Sequence, residues 1–227
     1  MARTILQIVQ DAAPKMGIAT PELLFGNPDT TAQELLSLVQ ELAERIARAH
    51  DWSLLKTRET HVGDGTTTNY PLPSDYLRMP KDGQVWSTRW QRPLLHISPE
   101  DALRLEIRNY DLVTGTWTIL GGDVQYAPAL ANGENATFYY ITDQVVSGGK
   151  ARFTTDADTF RLGDRLMELH LIWEWRSRKG LDYAEDMMTA ETALAQAISD
   201  DRGARIITQT SRRNVRTSIA YPWEITP

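Results

Sequence analysis

The chain has 227 residues, 41% hydrophobic and 24% charged, a composition that supports one large core or two smaller ones. It contains no cysteine, which excludes disulfides, thiolate metal sites and cysteine nucleophiles, and no apolar run approaches the roughly 20 residues of a membrane span. The formal net charge is −6, but Arg202, Arg205, Arg212, Arg213 and Arg216 fall within residues 202–223 with no acid among them, so an acidic body carries a basic tail.

Ile5, Ile8, Val9 and Ala12 recur at helical spacing and predict a short amphipathic helix, ended near Pro14 and Gly17. This start is amphipathic rather than continuously apolar, so no signal peptide is expected and a soluble intracellular chain is. Gly26-Asn27-Pro28-Asp29 reads as a turn. Thr31 and Glu34 then form the T-x-x-E pattern of a capping box, opening a helix whose apolar face is Leu35, Leu38, Val39, Leu42, Ile46 and Ala49.

After Leu55 the helical period stops. Short strands are expected over 57–62, 66–72, 85–90, 116–120, 123–126 and 136–142, separated by Gly, Pro and Asn turns. One short helix, 100–108, interrupts them, with Ser98 as its cap, Pro99 in its first position, and Leu103 and Ile107 at helical spacing. This pattern predicts a small β-sandwich or barrel-like module.

Residues 160–201 hold the longest apolar seam. Leu162, Leu166, Leu169 and Trp173 share one face of a first helix; Tyr183, Met187, Ala190, Leu194 and Ile198 repeat the spacing in a second. Gly180 between them allows a hairpin or a kinked rod. Arg161, Asp164, Arg165, Glu168, Glu174, Arg176, Arg178 and Lys179 surround the seam as a dense charged surface. The expected fold class is α+β: a helical domain from 1–55 and 150–205, an inserted β-rich module at 56–149, and an extended C-terminal arm at 206–227 that ends in two aromatics and two prolines.

No nucleophile elbow, P-loop or dinucleotide fingerprint occurs. His50, His61, His96 and His170 lie on different elements. His170 and Glu174, four apart, are expected to form a surface ion pair rather than begin a zinc site. No metal, cofactor or enzymatic turnover is expected. Trp86 and Trp90 with Arg89 and Arg92 read either as core-facing tryptophans or as a stacking platform for single-stranded nucleic acid.

Several stretches together resemble the phage head–tail adaptor proteins, the head-completion or tail accessory factors of short-tailed and related phages. The run Asn69-Tyr70-Pro71-Leu72-Pro73-Ser74-Asp75-Tyr76-Leu77 resembles their LP-x-D-Y/F turn. Pro93-Leu94, Ser98-Pro99-Glu100, Trp117-Thr118-Ile119, Gly121-Gly122, Tyr126-Ala127-Pro128-Ala129, Phe138-Tyr139-Tyr140 and Phe160-Arg161-Leu162-Gly163-Asp164 follow in the expected order. The resemblance spans about 21–201 and is least traceable in the tail. It implies a structural virion protein, a ring under the portal, usually twelve-fold, that extends the DNA channel and presents a platform to tail or nozzle proteins. Genomic DNA would pass without specific binding, no membrane would be involved, and the charged helix faces would suit the ring's heterologous contacts. The resemblance further implies that the C-terminal arm reaches along the portal, with Arg212, Arg213, Arg216, Tyr221 and Trp223 as its contacts. The alternative reading is a nucleic-acid-binding protein that uses the arginine tail; a carboxylate hydrolase is a remoter third.

Overall fold

A computed structural model describes residues 2–108 and 114–203. It shows a mixed fold of helices and two β-sheets, neither closed into a barrel.

Helix α1 (Ile5–Met16) opens at Thr4, whose hydroxyl accepts from the Gln7 N–H while the Gln7 side chain accepts from the Thr4 N–H. This is a complete capping box, satisfying two orphan donors reciprocally. Pro14 sits in the last turn, and Gly17 closes the helix in the left-handed region at φ 73°, which costs a glycine little. Helix α2 (Thr30–Ala49) begins one residue before the expected cap. Asp29 holds the N-cap position without a side-chain capping bond, so Thr31 is a first-turn residue and the expected box is absent. Glu34, its supposed partner, pairs instead with Lys179.

The strands are β1 (Lys56–Val62), β2 (Asn69–Pro71), β3 (Tyr76–Arg78), β4 (Trp86–Ser87), β5 (Arg92–Pro93), β6 (Leu95–His96), β7 (Thr116–Leu120), β8 (Asp123–Ala127) and β9 (Asn135–Thr142); helix α3 (Pro99–Arg108) lies between β6 and β7. One sheet runs β1-β9-β4-β5, with β3 also paired to β9; the other runs β2-β8-β7-β6, its β6–β7 pair parallel. Alternation along β9 turns Ala136, Phe138 and Tyr140 towards Trp117, Val124 and Tyr126 of the second sheet, so both sheets close over one apolar cluster. Ser98 caps α3 as expected, accepting from the Asp101 N–H at 3.1 Å, but Leu103 and Ile107 are exposed rather than packed.

Helices α4 (Asp164–Arg178) and α5 (Ala184–Arg202) form a hairpin. Gly180 makes the reversal at φ 69°, and the N–H groups of Gly180 and Leu181 return to the Ser177 and Arg176 carbonyls. A second apolar cluster joins α1, α2 and α4 with Trp52, Leu55, Ile141, Val145, Phe153 and Phe160. Because α1, α2 and α5 all pack on α4, its buried side is wider than a stripe: Met167, Leu171, Ile172 and Trp175 are buried, whereas Leu169 and Trp173 of the expected face are only half-buried. The α5 face follows the expected spacing from Met187 through Ala190, Leu194 and Ile198, with Ala190 its one fully buried residue, whereas Tyr183 sits at the N-cap and is exposed.

Candidate assembly surfaces

The Leu72-Pro73-Ser74-Asp75-Tyr76 run works as a clamp. The Tyr76 N–H closes a turn on the Pro73 carbonyl at 3.0 Å. That turn aims the Asp75 carboxylate at β9, where it accepts from Tyr140 Oη and Thr142 Oγ1, both at 2.8 Å. The Asp75 carbonyl also accepts from the Asp143 N–H. Both hydroxyl-bearing residues are buried, so this half-buried carboxylate satisfies donors that have little access to water. Burial, reinforced by Asp75, pushes the Tyr140 phenol far above its ordinary value and keeps it a donor.

The charges around α4 are spent inside the chain. Glu168, almost buried, is bonded by Lys15 and by Arg3 at 2.8 Å. Arg45 reaches Glu174 at 2.7 Å, Arg178 reaches Glu41 at 2.6 Å, and Lys179 reaches Glu34 at 2.6 Å. Arg176 holds Asp186 of α5 at 2.5 Å, and Arg161 donates to the Gln144 and Leu54 carbonyls. Asp164 accepts from the Arg3 N–H at 2.7 Å. Of the eight charges expected to form an open surface, Arg165 alone lacks such a partner among the described residues. These pairs staple α4 to α1, α2 and α5; even where they are exposed, as in Arg178–Glu41 and Lys179–Glu34, their charges are already matched within the chain.

The histidines do not converge. His61 shares a 2.9 Å hydrogen bond with Tyr126 Oη inside the β cluster. His170 is buried and donates from Nδ1 to the Leu166 carbonyl at 2.8 Å, so the expected surface pair with Glu174 does not form. Burial pushes both imidazoles below their ordinary pKa. His50 approaches Asp201 at 3.2 Å, and Asp201 also accepts from the Ser53 N–H and hydroxyl. Serine and histidine both bond the acid rather than each other, so the trio lacks the nucleophile–base contact that acyl transfer needs. It anchors the end of α5 to the corner before β1. Among the described residues no three His, Asp or Glu side chains group as a metal site. No described helix is long and apolar enough to cross a membrane.

The tryptophan pair separates. Trp90 packs partly into the β cluster, with the Arg89 and Arg92 guanidinium groups 5.0 and 5.7 Å from its ring centre. Trp86 faces outward and borders a cleft of about 520 Å³ with Lys56, Arg58, Lys81 and Tyr139. A second groove, of about 740 Å³, follows α5 past Leu162, Arg165 and Met188. The first was not legible as a surface, being assembled from segments distant in the chain; the second lies wholly within the α4–α5 hairpin and the residues that open it. The expected arm contacts Arg212, Arg213, Arg216, Tyr221 and Trp223 lie outside the described residues.

The described residues thus form a body tied together by ion pairs between its helices, with two clefts on its surface. The model of one family, SU10 adaptor protein, matches residues 3–220, and the chain belongs to that family. The match runs past both ends of the stretch that resembles head–tail adaptors and takes in most of the arginine-rich tail. No curated protein matches the chain.

Proposed function

We propose that the protein is a bacteriophage head–tail adaptor. Copies form a ring, twelve-fold, beneath the portal, extend the DNA channel and offer a platform to tail or nozzle proteins. It assembles in the host bacterial cytoplasm and ends in the virion at the head–tail junction. Membership of the SU10 adaptor protein family over residues 3–220 carries this reading. The acidic balance supports it, since a channel of the same sign as DNA phosphate lets the polymer slide without sticking. In this reading residues 1–55 and 150–205 are the helical domain, 56–149 the inserted module and 206–227 the arm. Arg212, Arg213 and Arg216 steer the arm to an acidic groove on the portal, and Tyr221 and Trp223 anchor it. Negative-stain images of the protein mixed with its portal should show an added ring. Deleting residues 210–227 should leave the melting curve unchanged and abolish attachment. A truncated chain that joins the portal with normal affinity would move the attachment to the helices.

A further inference from the structure

The cleft beside Trp86 and the turn between α4 and α5, where Tyr183 leans on Trp173 with its ring centre 6.4 Å away and stays partly exposed, lie at opposite ends of one helix. The cleft opens where the end of α2 meets the outer face of the β1-β9-β4 sheet. Register fixes its floor: Trp86 lies opposite Thr137, and Arg58 lies opposite Tyr139. Tyr139 is two residues beyond Thr137 and Lys56 two before Arg58, so all of these side chains share one face. Trp86 is 39% and Tyr139 57% exposed. Lys81 stands on the rim. Lys56, Arg58 and Lys81 make no side-chain ion pair among the described residues, whereas Asp51, one of the two acids of the lining, is held by Arg78 and the Lys81 N–H. Exposed Trp, Tyr and Arg are the residue types that dominate protein interfaces. These three cations outnumber the two acids of the lining, Asp82 and Asp51, and Asp51, though Lys56 also stabilises it, is already held by Arg78, so the cleft favours a partner that carries carboxylates.

The α4–α5 turn supplies them. Leu181 is 51% and Tyr183 38% exposed at its tip. Asp186, Arg178 and Lys179 around the turn are neutralised by Arg176, Glu41 and Glu34, but Asp182 and Glu185 have no cationic partner among the described residues. At its other end α5 is bound through Asp201 to Ser53, close before Lys56 in the chain. At 1.5 Å per residue, Glu185 stands about 24 Å away along the helix.

We propose that the α4–α5 turn of one copy seats in the Trp86–Tyr139 cleft of the next. Leu181 and Tyr183 pack on the two aromatic side chains, and Asp182 and Glu185 face Arg58, Lys56 and Lys81. This rests on the ring reading and assigns the two unlike patches that a heterologous interface requires.

The absence of native cysteine gives a clean test. Full-length Tyr139→Cys and Leu181→Cys chains are purified separately, mixed with the portal present and mildly oxidised. The mixed disulfide should form, and neither chain should link to itself. Arg58→Glu in the first chain should lower its yield by about tenfold, and Glu185→Lys in the second should restore it. Homodimers in place of mixed dimers, or a yield indifferent to both charge reversals, would overturn the assignment. So would single-stranded oligonucleotide binding that Trp86→Ala abolishes while no mixed disulfide forms, since that result gives the cleft to nucleic acid. The unmodified chain is imaged in parallel, with the portal present. Rings there without the cross-link remove the face assignment alone; no self-association there removes the ring reading itself.

Discussion

Replacing Asp75 by alanine tests whether the Leu-Pro-Ser-Asp-Tyr turn holds the β-sheet through its carboxylate. The substitution leaves Tyr140 Oη and Thr142 Oγ1 without their 2.8 Å acceptor, and both residues are buried. An unsatisfied buried hydroxyl costs about 1–3 kcal/mol, so the pair should cost about 3 kcal/mol. For a chain of this size that lowers the melting temperature by roughly 6–12 °C. Tyr140→Phe alone removes one donor and should cost about 1 kcal/mol. In the double variant the Tyr140 donor is no longer stranded, so the two losses should fall short of their sum by about 1 kcal/mol. Circular dichroism melts of the four chains measure this cycle. Strict additivity, or an Asp75→Ala chain melting within about 2 °C of the parent, would refute the clamp.

Thr4→Ala should cost about 1 kcal/mol by removing the α1 capping box, while Thr31→Ala, at a position with no capping bond, should stay within about 0.5 kcal/mol of the parent; urea midpoints decide between them. Burial alone would raise the Glu168 carboxyl, but its bonds to Lys15 and Arg3 outweigh burial and hold it below its ordinary 4.5. Its contribution is therefore fully present above about pH 4.5 and is lost as pH falls through the lowered folded value. Glu168→Gln should flatten the acid limb of the stability–pH curve and cost about 1 kcal/mol at neutral pH, because its cations stay partly exposed. Gly63→Ala would set a methyl 2.3 Å from the Ala131 carbonyl oxygen and 2.6 Å from Leu130 Cβ; backbone there cannot move aside freely, so a loss of about 2 kcal/mol or more is expected in the same urea titration.

Much of the fold is legible because local chemistry decides it. Helix α2 carries one apolar face at unbroken spacing, and β7 occupies the residues that its alternation and flanking glycines mark. The same pattern misleads where two starts compete. Thr4-x-x-Gln7 and Thr31-x-x-Glu34 satisfy one rule, yet only the first forms a box, because Asp29 takes the cap position of α2. Strands β3, β5 and β6 are two or three residues long, too short to show alternation, and exist through their pairing. The charges of α4 were the least legible feature. Several of their partners lie more than a hundred residues away, as in Arg45–Glu174 and Lys179–Glu34, and periodicity carries no information at that range. The cleft is hidden for a related reason: Arg58 and Tyr139 become neighbours only through the β1–β9 register.

The internal use of charge narrows where assembly occurs. A neighbouring copy that recruited Arg45, Arg178 or Lys179 would first have to separate each from a carboxylate within 3 Å, gaining one pair and losing another. In the proposed ring, contacts between copies would therefore fall on charges the fold has left over. On the described surface these include Lys56, Arg58 and Lys81 on one side and Asp182 and Glu185 on the other. Whole copies, each at −6, repel one another, but that repulsion is screened beyond about 8 Å at physiological salt. Patch-to-patch attraction acts at contact and is screened less as water is excluded. The proposed ring would thus be favoured when copies are already held side by side. The portal would supply that condition through the arm, and free chains in dilute, low-salt solution lack it.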